Sequence, residues 1–223
     1  MKQIRHSNKG FTLVELSIVL VIIGLIIGGV LSGRQIMKNT QVTNAVNSIQ
    51  AYQAQFQTYV QNYGAMPGDD AGATSRFKNL STDINGIIAN GDGSGTLDGT
   101  FDASISSGQN PAPSVETQFL WIDLRAAGLV KNQTSGIQPA NPFGGIYGFQ
   151  HGAFDITTNV LCLNNVPSDA AGAIDSRLDD GSSNTGSIQA IADVSATASK
   201  AASGATADAS YVAGQTYSLC VGM

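Results

Sequence analysis

Gly10-Phe11-Thr12-Leu13-Val14-Glu15-Leu16 opens an apolar run that continues to Leu31. Its length matches the ~20 residues that an α-helix needs to cross a bilayer at ~1.5 Å rise per residue. Glu15 is the one charged residue inside it, and a lone carboxylate in hydrocarbon costs on the order of 3 kcal/mol unless it finds a partner. Lys2, Arg5 and Lys9 precede the run. Such a basic flank suits a removable secretory signal, or a signal anchor held with those residues in the cytoplasm. Three features count against removal: the length of the apolar core, the carboxylate near its start, and the lack of a small-x-small site before Arg34. A plain anchor accounts for topology and leaves Glu15 unexplained.

Cleavage of the Gly10-Phe11 bond accounts for both. It would leave an α-amine on Phe11, one helical turn from Glu15, and the carboxylate could pair with that amine or with the amine of a neighbouring copy. Lys9-Gly10-Phe11-Thr12-Leu13-Val14-Glu15-Leu16 resembles the class III signal of type IV prepilins and pseudopilins. The resemblance implies cutting after Gly10 on the cytoplasmic side by a prepilin peptidase, N-methylation of Phe11, passage through an inner-membrane assembly platform and polymerisation into a helical filament. It also implies that Glu15 guides each new subunit onto the amine of the one before it.

The formal charge of −5 becomes more negative once Lys2, Arg5 and Lys9 leave with the leader. An acidic surface of this kind offers no direct nucleic-acid site. Charged residues make up only 12% of the chain and glycines number 26, a composition suited to packing against copies of itself. The length allows one long helix and one globular domain rather than two full domains.

Beyond Leu31 the helical period persists, with Val42, Val46, Ile49, Gln53, Phe56, Val60 and Tyr63 at steps of three and four. A helix is therefore expected from about Thr12 to about Tyr63. No charged residue lies between Lys38 and Asp69, and the positions off the stripe are Gln, Asn, Thr and Ala. An amphipathic helix covered by its own domain explains one face, and packing against other helices would explain the rest. Gly24, Gly28, Gly29 and Gly33 each weaken a helix by about 1 kcal/mol relative to Ala in water, while small residues allow close helix approach in a membrane. Many filament pilins carry a proline near this depth; here none stands between Phe11 and Ala65. Gly64-Ala65-Met66-Pro67-Gly68-Asp69-Asp70 is the expected helix stop, through a left-handed cap and a proline that cannot extend the pattern. The run Tyr63 to Asp70 also resembles the segment that follows the long helix in a pseudopilin-like subgroup.

Asn90-Gly91-Asp92-Gly93-Ser94-Gly95-Thr96-Leu97-Asp98 matches the front of an EF-hand-type calcium loop. Oxygen donors stand at Asn90, Asp92, Ser94, Thr96 and Asp98, a Gly at the sixth place and an apolar residue at the eighth. At the twelfth place, where a bidentate Glu would close the site, stands Phe101, with Asp102 after it and Glu116 able to reach in from elsewhere. Calcium is the one ion these donors single out, a flexible turn is the plainer reading, and no cofactor is required. Ser114 to Ala127 reads as a helix with Ser114 as N-cap and Gly128 as stop. Its expected buried stripe is Phe119, Leu120, Leu124 and Ala127, with Trp121 in the core. The segment Glu116 to Leu129 resembles the same subgroup.

From Ile146 the period changes to two. A strand through Tyr147 and Phe149, a Gly152 turn and a strand through Ile156, Val160 and Cys162, alternating with polar or exposed positions, make a hairpin. A helix from Ser168 to about Leu178 follows, stopped at Asp179-Asp180-Gly181. Strands near Ser187 to Ala192 and Tyr211 to Val221 would complete an antiparallel sheet of about four strands. Ala192 to Ser210, rich in Ala and Ser, reads as a surface loop.

The expected fold class is α+β, the type IV pilin architecture of a long helix packed on a small antiparallel sheet. Its segments are a leader over 1–10, a membrane and assembly half-helix over 11–33, an outer half-helix over 34–64 and a periplasmic or extracellular globular domain over 65–223. Cys162 and Cys220, the only cysteines, fall on the outer side of the membrane, where oxidation permits a bridge worth roughly 4 kcal/mol on the chain-entropy estimate. The family resemblance agrees, since many type IV pilins staple a carboxyl-terminal loop in this way; two free buried thiols are the alternative. Enzyme chemistry finds no support: His151 is the only histidine after the leader and accompanies no nucleophile motif. A pilus-like filament subunit is the expected function. A type II secretion pseudopilin and a monomeric membrane-anchored surface-binding protein are the alternatives.

Overall fold

A computed structural model describes residues 10, 12–77, 88–103, 115–131, 138–193, 201 and 204–223. The leader residues 1–9, Phe11, the N-cap Ser114 and residues 194–200 and 202–203 of the Ala/Ser-rich stretch lie outside the described residues. The chain divides into two compact units, 1–40 and 41–223. Helix α1, Leu13–Tyr63, is unbroken through Gly24, Gly28, Gly29 and Gly33. It is long and apolar enough to cross a membrane, and its apolar window is uncovered. Gly64, at φ 68°, ends it as a left-handed cap and donates to Val60 O at 2.9 Å.

In the larger unit α1 buries Val42, Ala45, Ile49, Phe56 and Tyr59. The expected stripe is rotated slightly: Val46, Val60 and Tyr63 flank the seam as half-buried neighbours. Aromatic side chains fix the contact, with Tyr52 edge-on to Trp121 at 5.0 Å and to Tyr147 at 5.2 Å, and Phe56 stacked on Phe149 at 5.3 Å. Each such burial contributes about 1.5–3 kcal/mol. Trp121 is core, as expected.

Strands β1 (Tyr147–Ala153), β2 (Ile156–Pro167), β3 (Ile188–Ala192) and β4 (Thr216–Gly222) form one antiparallel sheet in the order β1-β2-β4-β3. Cys162 and Cys220 are register partners on β2 and β4 and are bridged, at a Cα separation of 4.0 Å and a sequence separation of 58. The fold is pilin-like α+β. Here the bridge joins neighbouring strands in the middle of the sheet rather than clamping a loop.

Four expectations need correction. The hairpin turns at Phe154 and Asp155; Gly152, at φ 69°, sits in β1 where the register shifts between His151 and Ala153, so it makes a bulge. The strands do not alternate cleanly, because Phe101 and Ala201 cover the face opposite α1 and bury Val160, Cys162 and Cys220. The helix expected over 114–127 starts as a 3-10 turn at Glu116–Gln118 and becomes α3 only at Leu120–Ala126, because the Glu116 carboxylate is drawn to backbone N–H groups of the 92–98 loop. The last strand begins at Thr216 rather than Tyr211, since Tyr211 turns to α4 (Ser168–Leu178) and its hydroxyl donates to Asp175 Oδ2 at 2.6 Å.

Candidate functional site

At the amino terminus of α1, Thr12 and Glu15 satisfy each other. Glu15 Oε2 accepts from Thr12 N at 2.9 Å and from Thr12 Oγ1 at 2.8 Å, and Glu15 N donates to Thr12 Oγ1 at 3.2 Å. This is a reciprocal capping box, which occupies helix-end donors that have no intrahelical acceptor. Thr12-x-x-Glu15 ahead of an apolar run was its signal in the sequence, and the sequence reading of Glu15 as an amine partner passed it over. Gly10 is exposed. The large apolar residues from Leu13 to Leu31 are all exposed, Ile23 least so at 46%.

A second concentration of chemistry lies where α1 ends. Asp69, Asp92 and Glu116 each offer a carboxylate oxygen, all within 4.8 Å of one another. Asp69 and Glu116 are buried and Asp92 is exposed. Backbone N–H groups hold them in place. Ser94 and Gly95 donate to the two oxygens of Asp69 at 2.9 and 2.8 Å, and Asp92 and Asp98 donate to those of Glu116 at 2.9 and 3.2 Å. Hydrogen bonding from Ser94 holds Asp92 below the usual carboxylate range. Burial, reinforced by Asp69 and Asp92, raises Glu116. Three converging carboxylates with hard oxygen donors could hold a divalent cation such as calcium.

Of the expected loop donors, Asp92 joins this group, and so does Glu116 from outside the loop. Asn90 turns its Oδ1 to Thr74 N and Oγ1, both at 2.9 Å, at the short helix α2 (Ala73–Arg76). Ser94 and Thr96 pair their hydroxyls at 3.1 Å, and Asp98 takes part through its N–H. Phe101 is buried in the core cluster behind the sheet. Asp69 was missed because it belongs to the helix stop rather than to the loop; Gly91 brings the two stretches together, its N donating to Asp70 O at 3.1 Å.

Beneath this group lies a charged network. Asp70 Oδ2 accepts from Tyr59 OH at 2.9 Å and pairs with Arg76, and Asp70 Oδ1 accepts from Gly72 N at 2.8 Å. A cleft of about 380 Å3 opens beside it, lined by Val60, Met66, Asp69, Asp70 and Arg76 among others.

Residues 5–31 match the prokaryotic N-terminal methylation motif, a motif typical of type IV pilins and type II secretion pseudopilins. No curated protein matches the chain. The motif together with the fold defines a prepilin-like protein, of a kind that generally serves as a non-enzymatic structural subunit. It implies processing by a prepilin peptidase, filament assembly and anchoring in the inner membrane beforehand.

Proposed function

We propose that this chain is a structural subunit of a type IV pilus-like filament, cut after Gly10, N-methylated at Phe11 by the peptidase/methyltransferase, and polymerised through its amino-terminal helix by an inner-membrane assembly platform. The observation that carries this reading is the uncovered apolar helix inside the 5–31 motif, with its single carboxylate at Glu15. Lipid covers the helix before assembly and neighbouring helices cover it afterwards. Glu15, held by Thr12 in the unassembled chain, exchanges that partner for the Phe11 amine of a neighbouring copy. The globular domain stands in the periplasm, then at the cell surface.

A periplasmic secretion pseudopilus is the second reading, favoured by the segments Tyr63 to Asp70 and Glu116 to Leu129, which resemble a pseudopilin-like subgroup. Amino-terminal sequencing and mass spectrometry of sheared material and membrane pellet decide between them. Chain starting at methylated Phe11 and abundant in the sheared fraction means a surface pilus; the same chain confined to the pellet means the pseudopilus. An amino terminus at Met1, or beyond Ser32, refutes both. Calcium at Asp69, Asp92 and Glu116 is proposed on donor chemistry alone, and thermal unfolding with calcium against chelator tests it: an unchanged midpoint retires it.

A further inference from the structure

Asp123, on α3, is fully buried. Its Oδ2 accepts from Gly68 N at 2.8 Å, tying α3 to the turn that ends α1. Its Oδ1 has no hydrogen-bond partner among the described residues. The groups that face it from packed elements are Tyr59 of α1, Asp70 of the turn and Arg76 of α2. Neither Tyr59 nor Arg76 is free to pair with it, because both engage Asp70 Oδ2. An ionised Asp123 would thus carry a buried, half-unpartnered charge beside another carboxylate, a costly state. A neutral carboxyl keeps the Gly68 bond through its carbonyl oxygen and leaves only a hydroxyl unpaired.

We propose that Asp123 is a proton-tightened latch: its protonated carboxyl clasps Gly68 and holds the 64–70 turn against α3, and loss of the proton releases the turn. The direction of the effect follows from linkage. Burial, reinforced by Asp70, raises Asp123 to about 8, whereas in an opened, hydrated turn it would titrate in the ordinary carboxylate range. The closed form therefore binds the extra proton. Opening is suppressed in acid, grows about tenfold per pH unit between the two values, and levels off above about 8.

Amide hydrogen exchange of the full chain in detergent micelles, with chelator present to remove any cation effect, tests this on peptides covering 64–70. After correction for intrinsic exchange, opening should rise about tenfold per unit from about pH 5 to about pH 8. Asp123→Asn keeps a carbonyl for Gly68 and cannot ionise, so its opening should be flat over the same range. Parallel slopes in the two proteins, or a flat parent, overturn the latch. Should the variant fail to fold, a 13C-carboxyl titration of Asp123 in the unaltered chain decides: a midpoint well above the ordinary carboxylate range supports the latch, and one inside it overturns it.

Discussion

Gly91 shows how much one residue controls at the end of the long helix. A β-carbon there would lie 2.4 Å from Asp69 Cα and 2.4 Å from Gly68 O, so the 90–98 loop reaches the helix stop only because this position has no side chain. Gly91→Ala should destabilise the larger unit by about 1–3 kcal/mol, as overpacking against backbone does. Chemical denaturation gives the value, and an unchanged midpoint would mean that the loop does not seat against the turn. Tyr211 makes a second residue-scale case. Its hydroxyl is a donor to buried Asp175, which burial raises above the usual range while Tyr211 and Gly181 N pull it back. Tyr211→Phe removes a donor that favours the ionised form, at a cost of about 1.5–3 kcal/mol when the carboxylate is charged. Asp175 in the folded variant then holds its proton to higher pH, so the loss is small in acid and grows as pH rises through the carboxylate range. Denaturation at acid and alkaline pH reads the difference, and equal losses at the two would exclude a charged Asp175.

At the scale of elements, the bridge and the strand edges explain how so small a sheet holds. Joining β2 to β4 across a separation of 58 residues restrains the unfolded chain by roughly 4 kcal/mol. Both cysteines are fully buried. Reductant alone should therefore leave the bond closed, and reductant with denaturant should open it; alkylation followed by mass measurement distinguishes the two, and rapid labelling without denaturant would contradict the burial. Cys162→Ser with Cys220→Ser should cost about 2–5 kcal/mol. Both outer strands are also occupied. On β3, Ile188 N donates to Asp179 Oδ2 at 2.9 Å and Ala190 N to Ser183 O at 2.8 Å; on β1, Tyr147 N donates to Pro139 O, and the Gln150 side chain, through Oε1, accepts from Phe101 N at 2.9 Å. Strand positions capped in this way do not invite further strands. The elements were most legible where one period ran uninterrupted: α1 follows from its steps of three and four, and α4 was bounded by its stop at Asp179-Asp180-Gly181. What spacing could not carry was long-range coverage. Nothing near Val160 or Cys162 says that Phe101 and Ala201 will bury the face opposite α1, whereas Glu116 was legible as a carboxylate able to reach the loop, but not as one whose oxygens the Asp92 and Asp98 N–H groups would hold. Asp69 stayed hidden for the same reason, as half of a site whose other half lies beyond a connecting segment.

The whole molecule poses one question that the isolated chain leaves open: what covers the outward face of α1 beyond the membrane segment. Asn44, Asn47, Gln50, Ala51, Ala54, Gln57 and Gln61 are all exposed, and none is charged. Two other amides of the same helix are used by its own domain, Gln41 donating to Pro142 O at 3.0 Å and Gln53 to Gly222 O at 3.3 Å. A helix face meant for water alone usually carries Lys and Glu, which raise solubility without weakening the helix. A face meant for other helices excludes unpaired charge, because a buried lysine without a partner is costly. Ala54→Lys with Gln57→Lys separates these cases. Both positions are exposed and lysine is a good helix former, so the thermal midpoint should shift little, within about 0.5 kcal/mol in stability. Processing after Gly10 should also continue, since the motif is untouched. On the pilus reading proposed above, filaments sheared from cells and counted by electron microscopy should be lost, while Thr158→Lys on the exposed hairpin should leave them intact. Normal filaments from the doubly substituted chain would mean that this face stays in water throughout, and that assembly rests on the membrane half of the helix and Glu15 alone.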